Sequence, residues 1–135
     1  MAARKLFVNL PVRDLKRSVE FFTRLGFEFN PEFASDNGAC MVISSEASVM
    51  LVCEPVFKTL CSREICDTST HHEALFTVSC ESRGEVDKLV RLAVENGGKP
   101  SGEPQDHGFM YDWSFFDLDG HGWGVLCMTP PGTKD

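Results

Sequence analysis

Apolar residues along the chain fall into two kinds of rhythm, and the same order of rhythms occurs twice. The run Leu6–Val12 is short and apolar, with Pro11 near its end, and reads as a strand that finishes at an edge or a bend. Asp14 follows as an N-cap, and Leu15, Val19, Phe22 and Leu25 recur at helical spacing up to Gly26, a natural stop. Phe27–Phe29 is a short strand leading to Pro31. Asp36-Asn37-Gly38 is a turn signal, and Ala39–Ile43 and Val49–Cys53 form a hairpin across a loose Ser44–Ser48 loop.

Residues 54–70 break the pattern and read as a connector with a short helix near Val56–Leu60. The order then restarts. Leu75–Ser79 is a strand, and Ser82-Arg83-Gly84-Glu85 is a capping box. Val86, Leu89, Val90, Ala93 and Val94 make an apolar helical face that Asn96-Gly97-Gly98 ends. Lys99–Asp106 is extended and punctuated by Pro and Gly. Met110–Phe116 and Trp123–Met128 are strands joined by the turn Asp117–His121, and Pro130-Pro131-Gly132 opens a tail expected to fray.

The organisation is β-α-β-β-β, connector, β-α-β-β-β. Leu10 and Val12 superpose on Phe76 and Val78, and Gly26 on Gly97. The fold class is therefore α+β, with two βαβββ modules paired into a concave mixed sheet. The first module spans about 5–54, the connector about 55–71 and the second module about 72–129, all in one domain. With 135 residues, each half is marginal alone, whereas the whole buries roughly two-thirds of its unfolded surface and needs no staple.

Composition narrows the partners. Thirteen Lys and Arg against 20 Asp and Glu leave a net charge of −7. That speaks against nucleic acid and against anionic membranes. No apolar run is long enough to span a bilayer, and the N-terminal apolar run is too short for a signal-peptide core. The six cysteines, at 40, 53, 61, 66, 80 and 127, are irregularly spaced, and several sit in apolar runs. They read as reduced thiols of a cytoplasmic protein. Two further cysteine readings carry less weight. One is zinc held by Cys61, Cys66, His71 and His72, where two adjacent imidazoles would have to reach one ion. The other is nucleophilic use of Cys66 or Cys80, near which nothing in the sequence lowers a thiol pKa.

The stretch Leu10-Pro-Val-Arg-Asp-Leu-Lys-Arg-Ser-Val-Glu-Phe-Phe-Thr-Arg-Leu-Gly26 resembles the opening signature of the vicinal oxygen chelate superfamily, which includes glyoxalase I, extradiol dioxygenases, and fosfomycin- and bleomycin-resistance proteins. Asp117-Leu-Asp-Gly-His121 resembles its closing turn. Pro104–Tyr111 is similar to a subgroup described as predicted lactoylglutathione lyases. The resemblance covers nearly the whole chain and implies the glyoxalase/bleomycin-resistance fold and a homodimer.

In the metal-dependent relatives four strand positions supply ligands. Carried over one by one, they fall at Phe7, Met50, Glu73 (with His72 one residue away) and Gly124. Phe, Met and Gly offer no suitable oxygen or nitrogen donor. No metal site and no cofactor are therefore expected.

Strand alternation gives the cleft that remains. Phe7, Asn9, Met50, Val52, Glu73, Leu75, Thr77, Gly124 and Leu126 share its face. The strand around Trp113 has two phases. Either Trp113 and Phe115 or Asp112 and Ser114 join the wall, and Trp113 is kept among the ligand-binding candidates. The leading expectation is metal-free binding of a small apolar or aromatic molecule. The alternatives are a glyoxalase-like lyase or isomerase using Glu73 with His107 or Tyr111 as acid and base, and a non-catalytic dimer whose cleft Phe7, Met50 and Trp113 fill. His121 reads as turn chemistry.

Overall fold

The structure, a computed structural model, describes residues 4–128, so the tail at 130–135 lies outside it. The chain divides between Cys66 and Asp67 into two compact units, each with its own sheet. In the first, strand β1 (Leu6–Val12) leads to helix α1 (Leu15–Arg24) and strand β2 (Glu28–Asn30). A 3-10 turn at Pro31–Phe33 precedes strands β3 (Gly38–Val42) and β4 (Ala47–Cys53), and helix α2 (Glu54–Leu60) runs directly on from β4. The sheet order is β1-β4-β3-β2, with β1 and β4 parallel and the other pairs antiparallel.

The second unit repeats this plan. Strand β5 (Leu75–Ser79) is followed by helix α3 (Arg83–Glu95). Two short strands, β6 (Lys99–Pro100) and β7 (Gln105–Asp106), lie in the stretch read as extended chain, and both pair with β8 (Met110–Phe116). The last strand, β9 (Gly122–Met128), runs parallel to β5 and antiparallel to β8. The order β5-β9-β8-β6 mirrors β1-β4-β3-β2.

The local chemistry accounts for the helix ends. The Asp14 side chain accepts a hydrogen bond from Arg17 N at 3.2 Å, which satisfies a donor of the first turn. Gly26 and Gly97 stand at equivalent stops with φ of 103° and 107°, a left-handed conformation that glycine adopts without a Cβ penalty. The capping box at Ser82 is half as expected. Ser82 Oγ accepts from Glu85 N, but the Glu85 carboxylate reaches back one residue further, to Glu81 N at 2.9 Å. Replacing Asp14 with Ala is expected to cost about 1 kcal/mol, read as a lower urea midpoint with unchanged slope.

Helices α1 and α3 each cover one face of their own sheet. On the first sheet Leu10, Val12, Met41, Val49 and Leu51 are buried, with Phe21 and Phe22 of α1. Phe22 packs edge-on against Phe21 and Phe27, with centroids 5.0 and 5.8 Å apart. On the second sheet Val86, Val90 and Ala93 of α3 are buried, as are Phe115, Trp123, Val125 and Cys127. Phe115 and Trp123 lie opposite one another across β8 and β9, with parallel rings 6.5 Å apart. The face of the second sheet opposite α3 carries the candidate chemistry, whereas in the first unit α2 also packs on β1 and β4.

Candidate functional site

Register fixes which side chains share an open face. On the first sheet Asn9 pairs with Met50, and Phe7 with Ser48, while Pro11 and Val52 are partners. Alternation sets these opposite Leu10 and Leu51, which are buried on the α1 side. Phe7, Asn9, Met50 and Val52 therefore share one face, and Phe7 is 54% exposed.

On the second sheet Leu75, Thr77 and Ser79 lie opposite Gly122, Gly124 and Leu126, which in turn lie opposite Phe116, Ser114 and Asp112. This resolves the phase of β8: Asp112, Ser114 and Phe116 point to the open face. Trp113 also borders the cavity of this sheet, although alternation sets its strand position on the other face. It lies opposite Val125 on the α3 side, with its indole N–H donating to Gly102 O at 3.0 Å. A buried Phe115 anchors the strand in this phase, because its ring stacks with Trp123.

The open face holds a cavity of about 340 Å³. Leu75, Phe116 and Leu126 supply apolar wall, Thr77, Ser114 and Asp112 supply polar points, and Gly122 and Gly124 form the floor. The floor is low because these two residues lack side chains. A Cβ on Gly124 would sit 2.9 Å from Thr77 Oγ1, and one on Gly122 would sit 3.1 Å from Leu75 Cδ2. His72 also lines the cavity, and its ring stacks on Phe116 at 5.6 Å with an 18° tilt.

The three acid–base candidates go to three different places. Glu73 precedes β5 instead of lying on it, and its Oε1 meets His121 Nδ1 at 2.5 Å. The residue beside it, His72, is the one that reaches the cavity. Tyr111 points to the α3 side. Its hydroxyl donates to Asp87 at 2.6 Å and its ring lies under Arg83. Burial and that carboxylate push its pKa up to about 12, so it does not ionise near neutrality. His107 Nε2 meets Asp112 Oδ2 at 3.1 Å. Because a carboxylate only accepts, the imidazole is the donor. Its chain neighbour Asp106 turns away to a two-pronged ion pair with Arg83, at 2.6 and 3.0 Å, which holds the Asp106 carboxyl below its usual range.

His121, read from sequence as turn chemistry, is 1% exposed and belongs to a buried network. Asp117 is its centre. Asp117 Oδ1 accepts from the backbone of Asp119 and His121, and Oδ2 accepts from Trp123 Nε1 at 2.9 Å. Thr68 donates its hydroxyl to Asp119 O, so the segment before β5 is tied to this turn at Thr68 and again at Glu73. Thr68 and Glu73 bracket His72 and hold it over the Gly122 end of the cavity.

The metal-ligand positions do not fit a divalent ion. Phe7, Met50 and Gly124 lack a donor, and the carboxylate of Glu73 is engaged by His121. Among the described residues, no group of three or more His, Cys, Asp or Glu is arranged to hold one. The Cys61 thiol faces the carbonyls of Phe57 and Arg63. Cys80 is raised to about 11 by burial and by the Glu85 and Cys127 charges, which makes it a poor nucleophile at neutral pH. No helix among the described residues is long and apolar enough to cross a membrane.

Comparison with known proteins agrees with this architecture. A family described as bleomycin resistance protein-like N-terminal matches residues 4–44. Comparison with curated proteins gives no match. Among solved structures, hypothetical protein SA1046 from S. aureus is similar, with 27% identity, TM-score 0.79, and 94% of this chain and 95% of that one covered. A glyoxalase/bleomycin resistance protein/dioxygenase family enzyme from Burkholderia phytofirmans PsJN matches at 15% identity and TM-score 0.75, covering 90% and 96%. The fosfomycin resistance protein FosX from Listeria monocytogenes matches at 17% identity and TM-score 0.65, covering 96% and 97%. The chain carries the glyoxalase/bleomycin-resistance fold, and its residues 4–44 match the bleomycin resistance protein-like N-terminal family.

Proposed function

We propose that the protein binds a small apolar or aromatic molecule on the open face of β5, β9 and β8, without a metal ion held by the protein. The observation that carries this reading is the paired glycine floor. Gly122 and Gly124 open a cavity of about 340 Å³ between Leu75, Leu126 and the stacked His72–Phe116 pair. That size and a mostly apolar lining with few polar points suit a small-molecule site. The donor-poor ligand positions support the metal-free part. The separation of Glu73, His107 and Tyr111 onto three different partners weighs against the lyase or isomerase reading, which needs two of them at one substrate atom.

The test is calorimetric titration with 6-phenylhexan-1-ol in buffer containing a chelator. Saturable one-site binding that Phe116→Ala weakens supports the proposal. Absence of binding, or binding that appears only on adding Zn²⁺, Ni²⁺ or Mn²⁺, removes it.

The proposal extends to a homodimer. Strands β1 and β5 each end one sheet order, and Leu6 and Phe7 on β1 and Leu75 on β5 are more than half exposed. An apolar edge of this kind is normally covered. Sedimentation equilibrium is expected to return twice the chain mass, and a single-chain mass discards this part. All six cysteines are free thiols, which supports a reducing, cytoplasmic setting.

A further inference from the structure

On the reading that the cavity of the second sheet is the binding site, its lining also selects the charge of the ligand. We infer that the cavity takes a molecule with an apolar ring at one end and a protonated amine at the other, and discriminates against anions such as carboxylates and glutathione conjugates.

The lining contains one carboxylate, Asp112, and no Lys or Arg. Asp112 and Phe116 lie on the same face of β8, four residues apart, so roughly 13 Å separates the acidic end from the aromatic end. His72 stacks on Phe116 and makes that end a flat, ring-shaped surface. Between the two ends run Thr77, Gly124 and Ser114. The Ser114 hydroxyl donates to Ser101 O at 3.0 Å, so its proton is already committed and it offers a ligand only lone pairs. The midsection of the cavity therefore lacks a charged partner for an anion.

Asp112 is held but not saturated. Its Oδ2 takes the His107 proton at 3.1 Å, and among the described residues Oδ1 receives no hydrogen bond. The carboxylate side chain is 35% exposed. The nearby cation, Arg83, is occupied by the two-pronged pair with Asp106 and by the Tyr111 ring on the other side of the sheet. An ammonium at Oδ1 forms a charge-assisted hydrogen bond next to apolar surface, where such bonds are strong. A ligand carboxylate at the same place meets like charge with no Lys or Arg in the lining to offset it, and the His107 imidazole is already engaged by Asp112. The chain's net charge of −7 adds to that bias.

Three ligands of equal length test this by titration into the intact protein: 6-phenylhexylamine, 6-phenylhexan-1-ol and 6-phenylhexanoate. The amine is expected to bind at least about tenfold more tightly than the alcohol, and the carboxylate more weakly than either. Asp112→Asn is expected to erase the advantage of the amine. His107→Ala, which releases the second carboxylate oxygen, is expected to keep it. An alcohol that binds while the carboxylate equals or exceeds the amine overturns the charge selection and leaves the cavity reading standing. So does an amine advantage that survives Asp112→Asn. If none of the three binds, the cavity reading falls and the charge selection falls with it.

Discussion

Asp117→Ala is expected to cost roughly 3–5 kcal/mol, a large share of the stability of a domain this size. The reason is the number of donors that depend on one side chain. Asp117 is 7% exposed, and its two oxygens satisfy the N–H groups of Asp119 and His121 and the indole of Trp123. Trp123 is itself 1% exposed, and its ring lies between Phe76 and Phe115. Alanine leaves three buried donors without that acceptor and opens space beside the largest side chain of the core. Urea denaturation followed by tryptophan fluorescence reads the loss directly. A drop below about 1 kcal/mol would mean that water replaces the carboxylate cheaply, against the buried geometry.

The same residue gives a pH dependence of unusual sign. Burial raises the Asp117 pKa above its ordinary value, against the lowering effect of His121, the indole and the two backbone donors. A carboxyl whose folded pKa lies above its unfolded value stabilises the fold most below the unfolded pKa, and that contribution is lost as pH rises through the folded value. The stability gap between the native chain and Asp117→Ala is therefore expected to be wider in acid than at neutrality. Asp106 is opposite in direction, because its ion pair with Arg83 lowers its pKa. As an exposed pair on the surface it contributes little. A gap that widens from acid to neutral pH contradicts the assignment for Asp117.

Sequence periodicity carried the fold well, because this architecture is written in local signals. The apolar runs bound the first, fifth and eighth strands, and helices α1 and α3 begin at side-chain caps, Asp14 and Ser82, that the sequence displays. The two short strands after α3 carry no such signal. Two-residue pairings such as Lys99–Pro100 have no periodicity to detect and exist only because β8 offers an edge. The site was harder to see. Alternation groups Phe7, Asn9, Met50 and Val52 on one face of the first sheet and Leu75, Thr77 and Gly124 on one face of the second, and the strand register pairs them in that way. The phase of β8 is ambiguous in the sequence because Trp113, Phe115 and Phe116 are all large and apolar, and the register with β9 and the burial of Phe115 decide it. Glu73 and His121 are 48 positions apart in sequence, so nothing local shows that each is the other's partner. Had that pair been visible, His72 would have been the obvious residue left to face the cavity.

Filling the floor at Gly124 is expected to abolish ligand binding while leaving the fold in place. In Gly124→Leu, the Cβ starts 2.9 Å from Thr77 Oγ1, which turns aside because it is the end of a side chain and not backbone. The remaining carbons then project into the space between Leu75, Ser114 and Leu126. The position is in the middle of β9, paired on both sides, and its backbone is extended, so leucine suits the strand better than glycine does. The alcohol probe is expected to lose roughly a hundredfold in affinity, because the added side chain takes the apolar volume that the ligand would bury. Gly124→Ala should fall between the two, since a methyl alone fills only the floor. Calorimetry gives the affinities, and circular dichroism with thermal melting shows whether the sheet persists. Gly124→Leu that keeps its melting temperature and still binds the probe as tightly as the native chain would place the ligand elsewhere. An unchanged affinity in Gly124→Ala together with a complete loss in Gly124→Leu would locate the ligand's apolar end above the floor, against Leu75 and Phe116, instead of on it.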